Sequence, residues 1–317
     1  MMPDYAPPRC ELLPLPDHQV AFLVEGAERT RWHYGGQYPR PFLYPLLGPS
    51  SGTSLTRMGH PGAENHEHHR SVWFAHHKLL GINFWGDNTD ARIRQQHWLV
   101  YEDGDEQSIM AVRLGWYDGH DPQPLVDQDA IIALRPLSDG EYALDIQSTF
   151  RPRADSIEFQ QSNFGFLAVR MAKSISAHFG GGTITSSEGG VGEKAIFGTA
   201  ARWMDYSGPV RVAGDPARTV VEGITYFDHP GNPHHPAKWH VREDGWMGAS
   251  ACRDEPLLAT RQSPLKLRYL LHIHSGGADA ERAERLFEDW QDWPAWNVVK
   301  STRPHRQYDL QELEQHG

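Results

Sequence analysis

The chain of 317 residues is 39% hydrophobic and 22% charged, which is ordinary for a globular protein. Its 30 Lys and Arg against 41 Asp and Glu give a formal net charge of −11, which argues against nucleic acid and anionic membranes as partners. No apolar stretch approaches the roughly 18 residues of a membrane span, and no signal peptide is recognisable at the N-terminus. With only Cys10 and Cys252 and no CxxC, a cytoplasmic location is expected.

Short strand-like segments dominate the chain and are separated by turn residues. In the segment 141–150, bulky apolar residues alternate with smaller or polar ones, which is the period of two of a sheet with one buried face. The 30 Gly and 23 Pro supply many turns. This pattern predicts an all-β sandwich or barrel. The predicted strands, in chain order, are His18–Glu25, Ser108–Trp116, Asp129–Arg135, Glu141–Phe150, Thr219–Phe227 and Leu265–His274.

One amphipathic helix is predicted over Ala278–Asp292, where apolar residues recur at i, i+3, i+4 and i+7 and Pro294 ends the pattern. We expect this helix to pack on the outside of the sheets. No linker or repeat divides the chain, so residues 1–317 are predicted to form a single β-sandwich domain, with about 15 extended residues at its start. The glycine-rich segment 180–192 is predicted to be a mobile loop.

Twelve of the 19 histidines fall in three places. The first histidine-rich loop comprises residues 60–77, the second comprises residues 228–242, and two further histidines lie in the predicted strand 265–274. Solvated histidines are usually scattered along a sequence. This clustering is therefore the strongest functional signal in the chain.

The first loop reads HPGAENHEHHRSVWFAHH. His66 and His68 share one face of an extended chain, where imidazoles at this spacing can ligate a divalent metal. His69 and His76 are the candidate acid–base catalysts, because imidazole titrates near neutral pH. His68 and Arg70 are candidate substrate-binding groups, since both can bind an oxygen-rich ligand.

Aromatic residues accompany the first loop. Trp73 and Trp85 offer flat apolar faces beside its polar groups. A sugar ring needs this combination, because its hydroxyls take hydrogen bonds and its C–H face stacks on an aromatic ring. The loop therefore indicates a carbohydrate site, and metal binding or a purely structural role for its histidines are the alternatives.

The second loop reads DHPGNPHHPAKWHVR. Its three prolines make it stiff, which suits a preorganised site better than a loosely solvated loop. Asp228 and His235 are candidate catalytic residues, and Asn232, His240 and Arg242 are candidate substrate-binding residues. The alternative is a proline-braced surface loop.

In the predicted strand 265–274, His272 and His274 lie on the polar face, which is the candidate concave face of a curved sheet and makes His274 a candidate substrate-binding residue. Glycosidase chemistry usually needs two carboxyls, and besides Asp228 the candidates are Asp205, Glu188, Glu193 and Glu158. The chain has no GxSxG, GxGxxG or HExxH, which argues against a nucleophile-elbow hydrolase, a nucleotide-binding protein and a zincin.

Several segments are long and specific, namely Pro39–Pro49, HEHHRSVWFAHHKLLGINFW, NFGFLAVRMA, ARWMDYSGP and GITYFDHPGNPHHPAKWHVREDGWMGA. Together they resemble, across residues 38–275, a bacterial family labelled "PmoA-like" or "methane oxygenase PmoA". That label is a misnomer for this chain, because a methane monooxygenase subunit is a membrane protein and this sequence has no spanning segment. Arg170, within NFGFLAVRMA, is a further candidate substrate-binding residue.

The resemblance implies a galactose-mutarotase-like β-supersandwich. It also implies a role in carbohydrate metabolism, since members of the family accompany sugar oxidoreductases and carbohydrate-degrading proteins. The family's first motif looks like DHPHHR, whereas this chain has NHEHHR, so Asn65 stands in place of an acid and Glu67 in place of a proline. A carboxylate role at position 65 is thereby put in doubt, and Glu67 is the candidate to take it over.

The first hypothesis for function is a carbohydrate-active enzyme that cleaves a glycoside or keto-glycoside, as a hydrolase or a lyase. His and Asp side chains would supply acid–base chemistry in one site shared by the two loops. The alternatives are a mutarotase-like epimerase, a metal-dependent lyase or hydratase with His66 and His68 as ligands, and a non-catalytic carbohydrate-binding protein. The expected partner is a small sugar or an oligosaccharide, while a divalent metal and an oligomer are compatible with the sequence.

Overall fold

The computed structural model describes residues 6–60 and 66–313. Within these residues the chain forms twenty strands and two α-helices. The strands are β1 Cys10–Leu15, β2 Gln19–Val24, β3 Ala27–His33, β4 Phe42–Leu43, β5 Val72–Ala75, β6 Arg92–Glu102, β7 Ser108–Tyr117, β8 Val126–Pro136, β9 Tyr142–Pro152, β10 Ser156–Phe159, β11 Phe166–Arg170, β12 Thr183–Ser186, β13 Trp203–Val212, β14 Asp215–Asp228, β15 Lys238–Arg242, β16 Trp246–Ser250, β17 Leu257–Thr260, β18 Leu265–Ser275, β19 Trp296–Lys300 and β20 Tyr308–Glu312. The helices are α1, Glu193–Ile196, and α2, Ala280–Gln291.

Most of the strands form two eight-stranded antiparallel sheets. The first sheet has the order β1-β2-β3-β4-β5-β11-β16-β15, and the second has the order β12-β13-β14-β18-β9-β8-β7-β6. The strands β10 and β17 form one two-stranded sheet, and β19 and β20 form another. All six segments predicted as strands overlap strands of the structure, so the predicted all-β fold is confirmed.

The hydrophobic core lies between the two large sheets, and the alternation along each strand decides which residues enter it. In β9, Tyr142 and Leu144 point into this core, while Ala143 belongs to a separate cluster on the other face of the second sheet. Successive side chains of a strand point to opposite faces, which is why the period of two in the sequence marked this strand correctly.

Helix α2 covers the face of the second sheet that points away from the core, as the amphipathic pattern predicted. Trp290 and Phe287 of the helix pack against Trp203, Phe227 and Leu270 of the sheet. Asp279 caps the N-terminus of the helix, because its side chain accepts a hydrogen bond of 3.0 Å from the backbone N–H of Arg282. The predicted C-terminal amphipathic helix is therefore confirmed.

The glycine-rich segment 180–192, predicted to be a mobile loop, instead contributes β12, which pairs with β13. The prediction of a loop was wrong for Thr183–Ser186, and Gly180 and Gly182 serve close packing. A Cβ at Gly180 would overlap the carbonyl oxygen of Ser174, and one at Gly182 would overlap that of Ile175. A missing side chain allows two backbones to approach each other, and that use of glycine does not require motion.

The outer face of the first sheet, which points away from the second sheet, presents two rows of side chains. One row, across β5, β11, β16 and β15, consists of Trp73, Ala168, Gly248 and His240. The neighbouring row consists of Arg170, Trp246 and Arg242. The Trp246 ring lies over Gly248, with its Cζ2 atom 3.6 Å from the position that a Cβ would take. Antiparallel pairing thus brings residues far apart in sequence onto one surface.

Candidate functional site

A cleft of about 670 Å³ opens above these rows. Its volume falls in the range of small-molecule sites. The wall combines five histidines with aromatic, acidic and amide side chains. The residues that line the cleft are His66, Glu67, His68, His69, His77, Asn83, Trp85, Gly86, Asp87, Asn88, Phe164, His240, Arg242, Asp244 and Trp246.

Two tryptophans, Trp85 and Trp246, form an apolar wall of the cleft, with ring centroids 6.0 Å apart. His69 stacks between Trp246 and the buried Trp73, at centroid distances of 5.7 and 5.2 Å. The indole Nε1 atoms of Trp73 and Trp246 are buried, and neither has a hydrogen-bond partner among the described residues. Because an indole N–H can only donate, both tryptophans keep an unpaired buried donor beside the cleft.

The imidazoles of His68 and His69 are held in their neutral form. Burial, and then the nearby Arg40, lower the pKa of His68 to about 4. Burial also lowers the pKa of His69, with further contributions from His68 and Arg170. The ring centroids of His68 and His69 are 4.4 Å apart. Since a neutral imidazole has one donor and one acceptor nitrogen, this pair can both give and take a proton.

His240, in β15, is fixed at one nitrogen and open at the other. Its Nδ1–H donates to the carbonyl oxygen of Asn163 at 3.1 Å, while Nε2 has no hydrogen-bond partner in the part of the chain that the structure describes. The ring packs against Trp246 at 4.1 Å and Phe197 at 4.7 Å between centroids. Burial lowers the pKa of His240 to about 4. The ring is therefore a neutral, oriented base whose Nε2 can accept a proton.

Asp87 lines the cleft and is fixed by two arginines. Arg70 donates to it through both guanidinium Nη atoms, one at 3.0 Å, and Arg40 Nη1 lies 3.2 Å from its Oδ1. Burial alone would raise the pKa of Asp87, but the two guanidiniums outweigh burial and hold the pKa below its usual value. Asp87 is thus an ionised hydrogen-bond acceptor at neutral pH.

Asp244, four residues after His240 in the sequence, also lines the cleft. Like Asp87, it is contacted by two arginines. Arg170 donates to its Oδ1 at 2.9 Å, and Arg57 donates to its backbone carbonyl oxygen at 2.9 Å. Burial raises the pKa of Asp244, but Arg170 more than offsets burial, so the net shift is downward. The cleft therefore holds two ionised carboxylates, each with arginines behind it.

Six of the candidate site residues line the cleft, namely His66, His68, His69, Trp85, His240 and Arg242. Trp73, Arg70 and Arg170 do not line it and lie directly behind it. The prediction that these three contact substrate is corrected, because their side chains are used in packing on His69 and in fixing Asp87 and Asp244.

Sequence reasoning missed Asp87, Asp244 and Trp246. The two aspartates lie in turns that follow strand or loop segments, where an acidic residue is ordinary. The signal that could have found them is their position in or next to the long family-like segments.

His76, a predicted catalyst, lies in the core, and His77 lines the cleft instead. The Nε2 of His76 lies 2.9 Å from the carbonyl oxygen of Gln160, and its ring stacks on Phe166. Adjacent residues of an extended chain point in opposite directions, so only one of this pair can face the cleft. The sequence contains no local signal that decides between them.

The structure does not bring Asp228, Asn232 and His235 into the cleft. Asp228 accepts hydrogen bonds from Asn232 Nδ2 at 2.7 Å and from the backbone N–H of Ala237 at 2.9 Å, and its Oδ2 lies 3.0 Å from His235 Nδ1. The His235 ring stacks on Phe287 of α2. Asp228 ends a strand of the second sheet, whereas His240 lies in the first sheet, so the second loop is divided between the two. Only its end reaches the cleft.

His274 is also outside the cleft, because α2 covers the polar face of β18. Its Nε2 lies 2.7 Å from Oδ2 of Asp205, and Arg282 of α2 lies 3.2 Å from its Nδ1. The neighbouring His272 pairs with Glu141 at 2.8 Å. The expectation of a concave, substrate-binding face on this strand is therefore corrected. These side chains pair with each other beneath the helix, and Oδ1 of Asp205 is left without a hydrogen-bond partner among the described residues.

The metal hypothesis named His66 and His68, and both line the cleft, with ring centroids 6.2 Å apart. Within residues 6–60 and 66–313, no group of three His, Cys, Asp or Glu side chains is arranged to hold a metal ion. Asn65 lies outside the described residues, whereas Glu67 lines the cleft. Metal binding at this loop stays a prediction.

None of the described helices is long and apolar enough to cross a membrane. A crystal structure from Salmonella typhimurium, described as a putative mutarotase (YeaD), matches 84% of this chain and 90% of its own, with a TM-score of 0.34 and 10% identity, values that support no conclusion about activity. No curated protein matches by sequence. Residues 19–288 match a family of unknown function (DUF6807), and the chain belongs to that family.

Proposed function

We propose that this protein is an enzyme that binds a sugar in the cleft and transfers protons at or next to its anomeric carbon. The observation that carries the proposal is His240, a neutral imidazole held at Nδ1 and without a partner at Nε2, beside the Trp246 ring. A fixed, uncharged base next to a flat apolar surface suits a ligand that both stacks and gives up a proton.

The wall of the cleft supports a sugar as the ligand. Trp85 and Trp246 supply flat apolar surface for the C–H face of a ring. Asp87 and Asp244 are ionised acceptors for hydroxyl groups, and the side-chain N–H₂ of Asn83 can donate to them, since its Oδ1 is used by the backbone of Trp85 and Gly86.

The protonation states favour proton transfer by imidazoles over carboxylate-based hydrolysis. A glycosidase of the usual kind needs one carboxyl with a raised pKa as its acid. Asp87 and Asp244 both have lowered pKa values, because arginines face them. Neutral His240 can serve as the base, and His68 or His69 as the donor.

The simplest reaction of this kind is ring opening and closing, as in mutarotation. His240 Nε2 takes the proton of the anomeric hydroxyl, a carbonyl forms at the anomeric carbon, and the bond to the ring oxygen breaks. The electron pair of that bond goes to the ring oxygen, which takes the N–H proton of the neutral donor imidazole. The imidazolate left behind regains a proton from the ring hydroxyl when the ring closes again, and protonated His240 returns its proton to the anomeric oxygen. Elimination from a keto-glycoside would use the same base on a C–H proton next to the ketone, so product analysis distinguishes the two reactions.

The test is proton NMR of anomeric exchange with freshly dissolved α-D-glucose and α-D-galactose, together with product analysis on keto-glycosides. His240→Gln is expected to lower kcat by about 10²- to 10⁴-fold, the usual contribution of a general base. In the unaltered protein, kcat/KM should stay level between pH 8 and 6, because His240, with a pKa of about 4, is already a neutral base throughout this range.

His97→Gln, at an exposed position away from the cleft, is the matched control and should leave the rate unchanged. Full activity of His240→Gln would overturn the assignment of the base. Sugar binding with no turnover of any substrate would instead identify a non-catalytic binding protein. Loss of activity on chelation, with metal found in untagged protein, would favour the metal-dependent alternative.

A further inference from the structure

The wall of the cleft contains more buried positive than negative charge. Arg40 is only 2% exposed and Arg70 is half-buried, yet Asp87 is the one carboxylate that either contacts within the described residues. Arg40 donates its remaining hydrogen bonds to the backbone carbonyl oxygens of Phe84, Gly86 and His68. Two guanidiniums therefore share one negative charge on this side of the cleft.

The same arrangement recurs on the other side. Arg170 is fully buried and Arg57 is half-buried, and the carboxylate that faces them is that of Asp244. His60 adds no negative charge, because its Nδ1 accepts hydrogen bonds from both arginines and the ring is neutral. Again two guanidiniums are opposed by one carboxylate.

Four buried or half-buried guanidiniums thus face two carboxylates, in a chain whose formal net charge is −11. Buried charges are normally paired, because removing a charge from water is costly. The crowding is large enough that burial, the main cause, lowers the pKa of Arg40 and Arg57 to about 10, with the neighbouring arginines adding to it. An anion in the cleft would relieve this imbalance.

Groups that can contact such an anion line the cleft itself. Arg242 lines it with a side chain that is 52% exposed, and its nearest acidic partner, Glu193, is 3.4 Å away. The planar guanidinium can bind a carboxylate or a phosphate through two parallel hydrogen bonds. Glu67, Glu193 and Asp244 are acidic groups on this side of the cleft. Asp244 is paired with Arg170, and Glu67 is exposed at the rim, where solvent screens it.

We infer that the natural ligand of the cleft is an anionic sugar, carrying a carboxylate or a phosphate that Arg242 binds. This inference rests on the proposed function, since it adds a charge to the sugar proposed there. The two arginine pairs supply the positive potential, and Arg242 supplies the direct contact.

Isothermal titration calorimetry of the whole chain with D-glucuronate, D-glucose 6-phosphate and D-glucose tests the inference. At least one anionic sugar should bind about tenfold more tightly than glucose or better, and its affinity should fall as salt is raised. Tighter binding of D-glucuronate would identify a carboxylate as the recognised group, and tighter binding of D-glucose 6-phosphate would identify a phosphate. Arg242→Gln should abolish the advantage, so that in this variant the affinity for the anionic sugar no longer exceeds that for glucose. Arg285→Gln, the same change on the exposed face of α2, should leave the ratio of the two affinities as it is in the unaltered protein.

The outcomes separate the inference from the proposed function. If glucose binds as tightly as both anionic sugars, the anion is not recognised, and the inference is overturned while a sugar site stands. If cyclohexanecarboxylate binds and no sugar does, the cleft takes anions other than sugars, and the proposed function is overturned with the inference. If none of the probes binds, both are overturned.

Discussion

At the scale of single residues, His69 shows how burial sets chemistry in this cleft. Its ring lies between two indoles and beside the ring of His68, and water is largely removed from it. Removing water disfavours the imidazolium, which is why the pKa of His69 is lowered. A buried histidine with a lowered pKa is neutral at pH 7, so it can form hydrogen bonds to a ligand or exchange protons with it, but it is not a fixed positive charge.

Asp228 is a residue whose neighbours indicate a structural role. It is buried and accepts hydrogen bonds from Asn232 and from the backbone of Ala237. Asp228→Ala should lower the free energy of unfolding by about 2–4 kcal/mol, because it leaves buried donors without an acceptor. Urea denaturation measures the effect. Asp254→Ala, which removes an exposed partner of Lys238, should cost less than about 1 kcal/mol.

Asp228→Ala also discriminates a catalytic role for Asp228 from a structural one. If it keeps full stability and loses turnover, Asp228 acts in catalysis, and the structural interpretation fails. If it loses stability while the folded fraction keeps its activity, the carboxylate serves the fold.

At the scale of elements, the hairpin of β15 and β16 is the main device that builds the cleft. Residues 240, 242, 244 and 246 face the cleft, whereas Trp239, Val241 and Met247 pack in the core. The turn between the strands ends at Gly245, whose φ of +100° favours glycine and whose Cβ, if present, would lie 3.0 Å from Ser176. Because successive side chains of a strand point to opposite faces, one face of this hairpin packs in the core while the other lines the cleft.

Helix α2 lies on the other side of the molecule from the cleft, and its loss should affect stability more than binding. Trp290 is fully buried against Trp203, Phe227 and Leu270. Trp290→Ala should lower the free energy of unfolding by about 3–5 kcal/mol, as for large aromatic truncations in cores. Thermal or urea unfolding measures this loss, and calorimetric ligand titration of the folded variant should show unchanged affinity.

Leu258→Ala, at a position that is 62% exposed, is the matched control and should have little effect on stability. A large drop in ligand affinity in folded Trp290→Ala protein would contradict the separation between the helix and the cleft.

At the scale of the whole molecule, the buried neutral histidines should make stability depend strongly on pH. The folded pKa is about 4 for His68, His76 and His240 and about 3 for His229, in each case chiefly through burial. In the unfolded chain these groups titrate near their ordinary value of about 6.5. Between those values the unfolded chain binds more protons than the folded one, so stability falls as the pH is lowered.

The expected slope is on the order of 3–5 kcal/mol per pH unit around pH 5, if all four groups contribute. His274 opposes this trend, because Asp205 outweighs burial and raises its pKa, but it is one group against four. Unfolding by urea at pH 7, 6 and 5 measures the slope. A midpoint that does not change over this range would show that the four histidines are not buried in the neutral form.

Local information was enough for the strands, the helix and the region of the chain that lines much of the cleft. The period of two in 141–150 and the period of 3.6 in 280–291 are properties of neighbouring residues, and they do not depend on what the segments pack against. Clustered histidines with aromatic neighbours likewise indicated the region of the cleft, in which His66, His68, His69 and His240 are found.

Long-range pairing decided which of these residues meet. Asp228 and His240 are twelve positions apart in one loop, but β14 pairs within the second sheet and β15 within the first. His77 rather than His76 faces the cleft because of the direction in which the chain leaves β5. Asp87 and Asp244 are fixed in the cleft wall by Arg40 and Arg170, which are distant from them in sequence. The sequence by itself therefore determined the elements and the chemical types present, whereas the tertiary structure selected the site, because side-chain direction and sheet membership depend on partners distant in the chain.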